Sequence, residues 1–167
     1  PSGDHWLGTD EIGRDMLSRL IYGARISTRV GIIAVAVAFL VGVPLGLIAG
    51  FLGGIIDTLL MRFIDVVVAV PPLLLAIAIT STLGVGITNA MVAIGLIAAP
   101  GYARLVRSET LAARDLEYVT AARSIGAGNV RLMWRHVFPA TWPALIVQSS
   151  LGLAFAILTE AALSFLG

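Results

Sequence analysis

Three long uncharged stretches dominate the chain. Between Arg29 and Asp57 lie 27 residues without a formal charge, and between Asp65 and Arg104 lie 38. A third runs from Trp142 to Glu160. A bilayer core of about 30 Å takes about 20 apolar residues in a helix. The first stretch predicts a span over 26–52. It carries Gly42, Gly46 and Gly50, whose spacing of four puts small residues on one face, where another helix can approach closely. Pro44 sits among them at a position that can bend the helix. The second stretch is too long for one crossing. Gly84-Val85-Gly86 followed by Thr88-Asn89 marks a turn, which gives spans over 55–83 and 89–106. Pro71-Pro72 falls inside the first of these, so the freed backbone groups need neighbouring protein or water, and that part faces other helices. The fourth span covers 142–165.

The polar segments have their own pattern. His5 to Asp10 reads as a turn-rich loop, and Asp15 to Tyr22 as a short helix along the membrane surface. Residues 1–25 are therefore expected to form an external loop and surface helix, ahead of a membrane domain over 26–167. The loop over 107–139 is the longest polar interruption. Glu109 to Ile125 is rich in helix formers, and Leu111, Val119, Ala122 and Ile125 recur at helical spacing as one apolar face. Gly126 stands where a helix C-terminus favours a left-handed residue. Asn129 is an N-cap for a second short helix, Val130 to Phe138, which Pro139 ends. Four spans put this loop and the 52–55 turn on one side. With Arg62 and Arg104 that side holds seven arginines against Arg14, Arg19, Arg25 and Arg29 on the other, which makes it cytoplasmic. Gly86 is then outside and Ser124 inside.

Composition agrees with a membrane protein: 58% of residues are apolar and 13% charged, against about 25% charged in soluble domains. A net charge of +1 supplies no field to recruit nucleic acid. There is no cysteine, and His5 and His136 are expected on opposite sides of the membrane, so no metal site is assigned. The phosphate-cradling G-x-x-x-x-G-K-[ST] run is absent, as is a nucleophile–base constellation. The chain is not read as an enzyme. Opening on Pro1 and stopping within an apolar run, it is expected to be a piece of a longer protein.

The 107–139 loop resembles the EAA loop of ABC importer permeases, whose pattern is Glu-Ala-Ala, three residues, Gly, nine residues, then Ile-x-Leu-Pro. Here Thr120-Ala121-Ala122 is followed by Arg123-Ser124-Ile125, Gly126, nine residues to Arg135, and His136-Val137-Phe138-Pro139. Both alanines, the glycine and the proline match. Thr120, His136 and Phe138 replace the glutamate, isoleucine and leucine, and Glu117 is the candidate for the acidic role. Glu117-Tyr118 ahead of the motif and Arg135-His136 near its end are similar to the peptide and nickel branch. HWLGTDEIGRDMLSRLIYGAR over 5–25 resembles the segment after the first span of a second-type permease in dipeptide and oligopeptide importers. PGYARLVR over 100–107 and EAALSFLG over 160–167 resemble the ends of the spans that flank the coupling loop.

The resemblance implies an all-α polytopic transmembrane helix bundle of the type I ABC importer permease kind, with about four of its six spans in this chain. It implies half of a translocation pathway, completed by a second permease subunit. Two cytoplasmic ABC ATPase subunits would carry ATP-Mg and receive the loop, with Glu117, Tyr118, Thr120, Ala121, Ala122, Arg123, Gly126, Arg135, His136 and Pro139 at the contact. An external substrate-binding protein would deliver peptides or related solutes. No cofactor is expected on this chain itself. The setting would be a bacterial or archaeal cytoplasmic (inner) membrane. The rival reading is an ATPase-independent channel or ion-coupled carrier.

Six charges near the spans have two readings each. Glu160 is a proton or substrate site, or else a structural acid near the outer interface, where Arg25 or Arg29 is the expected ion-pair partner. Asp57, Arg62 and Asp65 form a gate or neutralise one another, with Arg62 and Asp65 three apart on one face.

Overall fold

The computed structural model describes residues 5–84 and 86–166. Pro1 to Asp4 of the opening segment, Val85 of the predicted turn and Gly167 of the last motif lie outside the described residues. Among the described residues there are seven α-helices and no strand; three helices are long and apolar enough to cross a membrane, or four spans if one bent pair counts as one.

Helix α1 runs from Met16 to Leu52, 37 residues, about 55 Å at ~1.5 Å per residue. The separate surface helix expected over 15–22 is instead the first turns of this rod. Its start is fixed by Asp15, whose carboxylate accepts the Ser18 N–H at 2.9 Å. From there to Ile26 the one weak helix former is Gly23, at a cost of about 1 kcal/mol, which does not break a continuous ladder. The loop before α1 closes on Asp10, which accepts N–H bonds from Ile12 and Arg14 and pairs with Arg14 and Arg19.

α1 continues through Pro44 and ends at Gly53. Its glycines do what their spacing predicts. A Cβ at Gly42 would meet Ala99 and Tyr102, at Gly46 Ala103 and Arg107, and at Gly50 Arg107 and Thr110. The facing helix is α4, Ile87–Ala113, which returns the contact at Gly95 against Ala34 and Val37. Both sequences advance together along the interface, so α1 and α4 are parallel and nearly backbone to backbone. α4 overruns the expected 89–106 because Leu111, Ala112 and Ala113 extend it with no breaker.

Between them the chain returns in two pieces. α2 spans Gly54–Ala69 and α3 Pro72–Leu83, bent by 94°. The single helix expected over 55–83 is broken because Pro71 and Pro72 cannot donate. The carbonyls of Val67 and Val68 lose their usual partners; the Val70 N–H recovers Val67 at 3.4 Å. Asn89 closes the following turn by donating to the carbonyls of Leu83 and Gly84.

α5 is Glu117–Ser124 and α6 Asn129–Leu132. A π turn over Met133–Val137 and a 3-10 turn over Phe138–Thr141 lead into α7, Trp142–Leu166. Pro139 therefore does not end a helix, as expected from the sequence. The π turn gives the Met133 carbonyl the Phe138 N–H, five residues on. This resets the ladder, and Pro139 sits in the first turn of the 3-10 segment, where no N–H is needed. Asn129 is the first helical residue rather than the cap, which is Gly128. α7 runs antiparallel to α1, with Leu153 and Ile157 beside Gly31 and Trp142 beside Phe39.

Candidate functional site

Residues 107–113 of the expected 107–139 loop are the last turns of α4, and the remainder, 114–139, is a compact knob whose inner face belongs to the bundle core. Val119, Ala122, Leu132, Met133 and Val137 are buried in one cluster with Val43, Leu47 and Phe51 of α1 and Tyr102 and Val106 of α4. The turn between α5 and α6 is a complete Schellman motif: Ala127 N–H bonds the Ala122 carbonyl and Gly126 N–H that of Arg123. Gly126 has φ +87°, the left-handed value its position calls for. Ile125 breaks the expected apolar face. It is the cap residue, turned outward and 87% exposed, whereas Val119 and Ala122 are buried and Leu111 is half-buried.

The structure brings some of the candidate loop residues together and leaves others apart. The Tyr118 hydroxyl donates to the His136 carbonyl at 3.2 Å, tying α5 to the π turn. The His136 ring lies 3.4 Å from the Arg131 carbonyl. Ala122 is core, while Thr120 and Ala121 face outward with Glu117, Arg123, Arg135 and Pro139. Glu117 lies in the first turn of α5 and Arg123 in its last, each on the favourable end of the helix dipole. Leu116, Tyr118, Ile125, Val130 and Trp134 are exposed along the same segment as these charges. Behind the knob, Trp134, Phe138, Trp142 and Phe39 form a chain of ring contacts at 5.3, 5.4 and 6.1 Å, joining the π turn to α1.

The charges near the spans are arranged differently from expectation. Arg62 is exposed and does not pair with Asp65. Asp65 faces α4 instead and binds Arg104 at 2.8 Å. Asp57 takes a two-pronged bond from Arg107, Nε to Oδ1 at 2.5 Å and Nη2 to Oδ2 at 2.6 Å. Arg114 donates to the Gly50 carbonyl at 2.9 Å, capping the end of α1. Sequence reasoning missed this α2–α4 pairing, although a signal was present. Asp57 and Asp65 are two turns apart on one face of α2, and Arg104 and Arg107 are three apart on one face of α4. Glu160 also departs from expectation. It lies one turn beyond Ile157, near the level of Arg25 and Arg29, yet among the described residues it forms no ion pair with either. Both arginines are on the exposed side of α1.

The contact of Arg114 with Gly50 places the ends of α1 and α4 together, so the α1–α2 turn and the knob share one side of the bundle. A family model described as "Binding-protein-dependent transport system inner membrane component" matches residues 42–167, which include the knob and both flanking spans. The chain belongs to this inner membrane component family. It is a multi-pass membrane protein with the helical bundle of that family. Over all 167 residues it is 46% identical to the dipeptide transport system permease protein DppC of Alkalihalophilus pseudofirmus, covering 55% of that protein. It is 43% identical to the glutathione transport system permease protein GsiD of Pectobacterium atrosepticum, covering 56%. With the probable D,D-dipeptide transport system permease protein DdpC of Escherichia coli it shares 42% identity, covering 56%. These relatives are named as transport permeases, not enzymes. The chain spans about half the length of the curated relatives it matches.

Proposed function

We propose that the chain is part of a permease subunit in an ABC importer of peptides or related small solutes, in a bacterial or archaeal inner membrane. It lines half of the translocation pathway, and a second permease subunit lines the rest. The 114–139 knob docks on a cytoplasmic ATPase subunit, one of two that bind and hydrolyse ATP-Mg. An external binding protein delivers the substrate. Family membership supports this reading over an ATPase-independent carrier.

The observation that carries the reading is the two-faced knob. Its inner face is locked into the bundle core, while its outer face leaves Ile125 87% and Val130 69% exposed among Arg123, Arg131 and Arg135. Apolar surface left at the water side is disfavoured unless a partner covers it. A groove with an apolar floor and acidic edges fits it. ATP-driven closure of the partners then pulls on a body that is continuous with α1, α4 and α7, and this alternates the pathway between its outward- and inward-facing states.

The test is uptake of labelled peptides by the complete complex in proteoliposomes. Uptake should require both the binding protein and ATP. Uptake by the permease without the ATPase subunits would refute the reading. These 167 residues hold no cysteine, so single cysteines placed here, in a permease with any others replaced, can be labelled with an impermeant reagent in intact cells. Gly86→Cys should label from outside and Ser124→Cys should not; the opposite pattern would invert the orientation.

A further inference from the structure

α2 is an unusual element in this bundle. Of its 16 residues only Ile64 is buried, while Ile55, Leu59, Phe63 and Val66 are exposed. Apolar packing therefore does little to fix its position. Both of its ends are joints. At the start, Gly53 and Gly54 have φ of +65° and +57°, the left-handed region that glycine enters without penalty. At the far end the chain bends by 94° at Pro71 and Pro72. Between the joints α2 is held to α4 by two ion pairs, Asp57–Arg107 and Asp65–Arg104. The first is the stronger by geometry. Its two bonds are parallel, and the Asp57 side chain is 16% exposed against 56% for Asp65. Bidentate pairs fix orientation as well as distance.

Arg107 occupies a particular place. It packs against Gly46 and Gly50 of α1, two turns before α4 gives way to the knob at Arg114. One turn of α4 thus touches α1 through its backbone and α2 through its guanidinium, at the root of the element that would meet the ATPase.

We propose that Asp57 and Arg107 are positioning residues that make α2 a connecting rod, carrying displacement of the 114–139 knob through α4 into the α2–α3 span. The glycine joint lets α2 swing without bending α1, and the proline joint turns that swing into a displacement of α3. Without the clamp, α4 and the knob still move with the ATPase, but α2 does not follow. This rests on the transport reading above.

The test uses the full-length permease in its complete complex, with Asp57→Asn, Arg107→Gln and the exchanged double variant Asp57→Arg/Arg107→Asp. Two quantities are read: uptake per ATP hydrolysed, and the distance between spin labels at Leu59→Cys on α2 and Ser124→Cys on α5. Membrane levels of each variant are checked alongside. In the parent complex the label distance should have one narrow population. Each single variant should lower uptake per ATP by about tenfold, within the usual range of coupling between sites, while ATPase stimulation by the binding protein persists. Its label distances should broaden. The exchanged variant should recover both the ratio and the narrow distance. Unchanged uptake per ATP with narrow distances would overturn the clamp, as would equal loss of ATPase and uptake without recovery on exchange, which is the signature of a merely structural pair. If the parent complex shows no ATP-dependent uptake, the transport reading fails. The label distances still judge the clamp on their own, because broadening on Asp57→Asn with recovery on exchange does not depend on transport.

Discussion

Gly46 gives the sharpest test of the α1–α4 contact. A methyl added there would run into the Ala103 carbonyl oxygen, with the Ala103 carbonyl carbon and the Arg107 nitrogen at 3.0 Å. All three are backbone atoms of a helix, so no side chain can swing aside and α1 and α4 must part. Overpacking of this kind costs about 1–3 kcal/mol. Separating two helices by 0.5–1 Å also forfeits roughly a quarter to a half of the dispersion well for the neighbouring contacts, here those at Gly42 and Gly50. Against this, alanine is a better helix former than glycine by about 1 kcal/mol. The net expectation for Gly46→Ala is a loss of roughly 1–2 kcal/mol. Gly23 supplies the control in the same helix. A methyl there meets nothing within 4 Å, so Gly23→Ala should gain up to about 1 kcal/mol. Thermal unfolding of the two purified variants in the same detergent should place Gly46→Ala below the parent and Gly23→Ala at or above it. If Gly46→Ala melts at or above Gly23→Ala, the close parallel packing of α1 on α4 is wrong.

Three further outcomes are expected. A methyl at Gly126 meets no atom of this chain within 4 Å, so Gly126→Ala should cost about the 1–2 kcal/mol of a left-handed non-glycine residue and keep most uptake. Gly126→Val, inserted at normal levels, should lose coupling of ATP hydrolysis to uptake, and normal uptake would deny the knob its role. Tyr118→Phe removes the bond to the His136 carbonyl and should lower stability by about 0.5–1.5 kcal/mol, measured by the same melting assay; an unchanged melting temperature would show that α5 is held by Val119 and Ala122 alone. Asp10 is held down to about 2 from the ordinary 3.8, chiefly by the Arg14 N–H, against desolvation and with help from the Ile12 N–H and Arg19. Because the folded value is the lower one, its contribution to the opening loop is fully present above pH 3.8 and is lost as pH falls through about 2. A carbon-13 titration of its carboxyl should show that low midpoint; a midpoint near 3.8 would mean the loop is open.

The spans were legible because a run of some 20 apolar residues has few homes other than a bilayer. The face of α1 that carries Gly42, Gly46 and Gly50 was legible as a contact surface, though not its partner. The extension of α1 back to Met16 was read as a separate helix because Arg19, Arg25 and Arg29 interrupt its apolar residues, whereas the cap at Asp15 opens one continuous ladder. Pro139 misled for a related reason. Its missing donor ends an α-ladder, but the π and 3-10 turns around it supply a ladder in which no donor is needed there. The ion pairs were hidden by distance along the chain: Asp57 and Arg107 are 50 residues apart and Asp65 and Arg104 are 39 apart. Their spacing within each helix marked two matching faces, but sequence alone does not say which helices meet. In the knob, Gly126 was readable from local backbone rules, whereas Ile125 was not, because a single cap residue can leave the periodicity of the helix it ends.

The bend at Pro71 and Pro72 also constrains how this protein is made. Val68 keeps a carbonyl for which its own helix has no donor. Bathed in lipid, such a group costs several kcal/mol, and Asp57 and Asp65 on the same segment would be unpaired as well. Translation delivers α2 and α3 before α4, which carries Arg104 and Arg107. The α2–α3 segment is therefore a poor candidate to leave the insertion machinery alone. It is better retained in a wet, protein-lined environment until α4 has been synthesised. Biogenesis of this permease is then cooperative over the whole segment from α1 to α4, and a chain truncated before Arg104 should be recognised as misassembled and degraded rather than inserted.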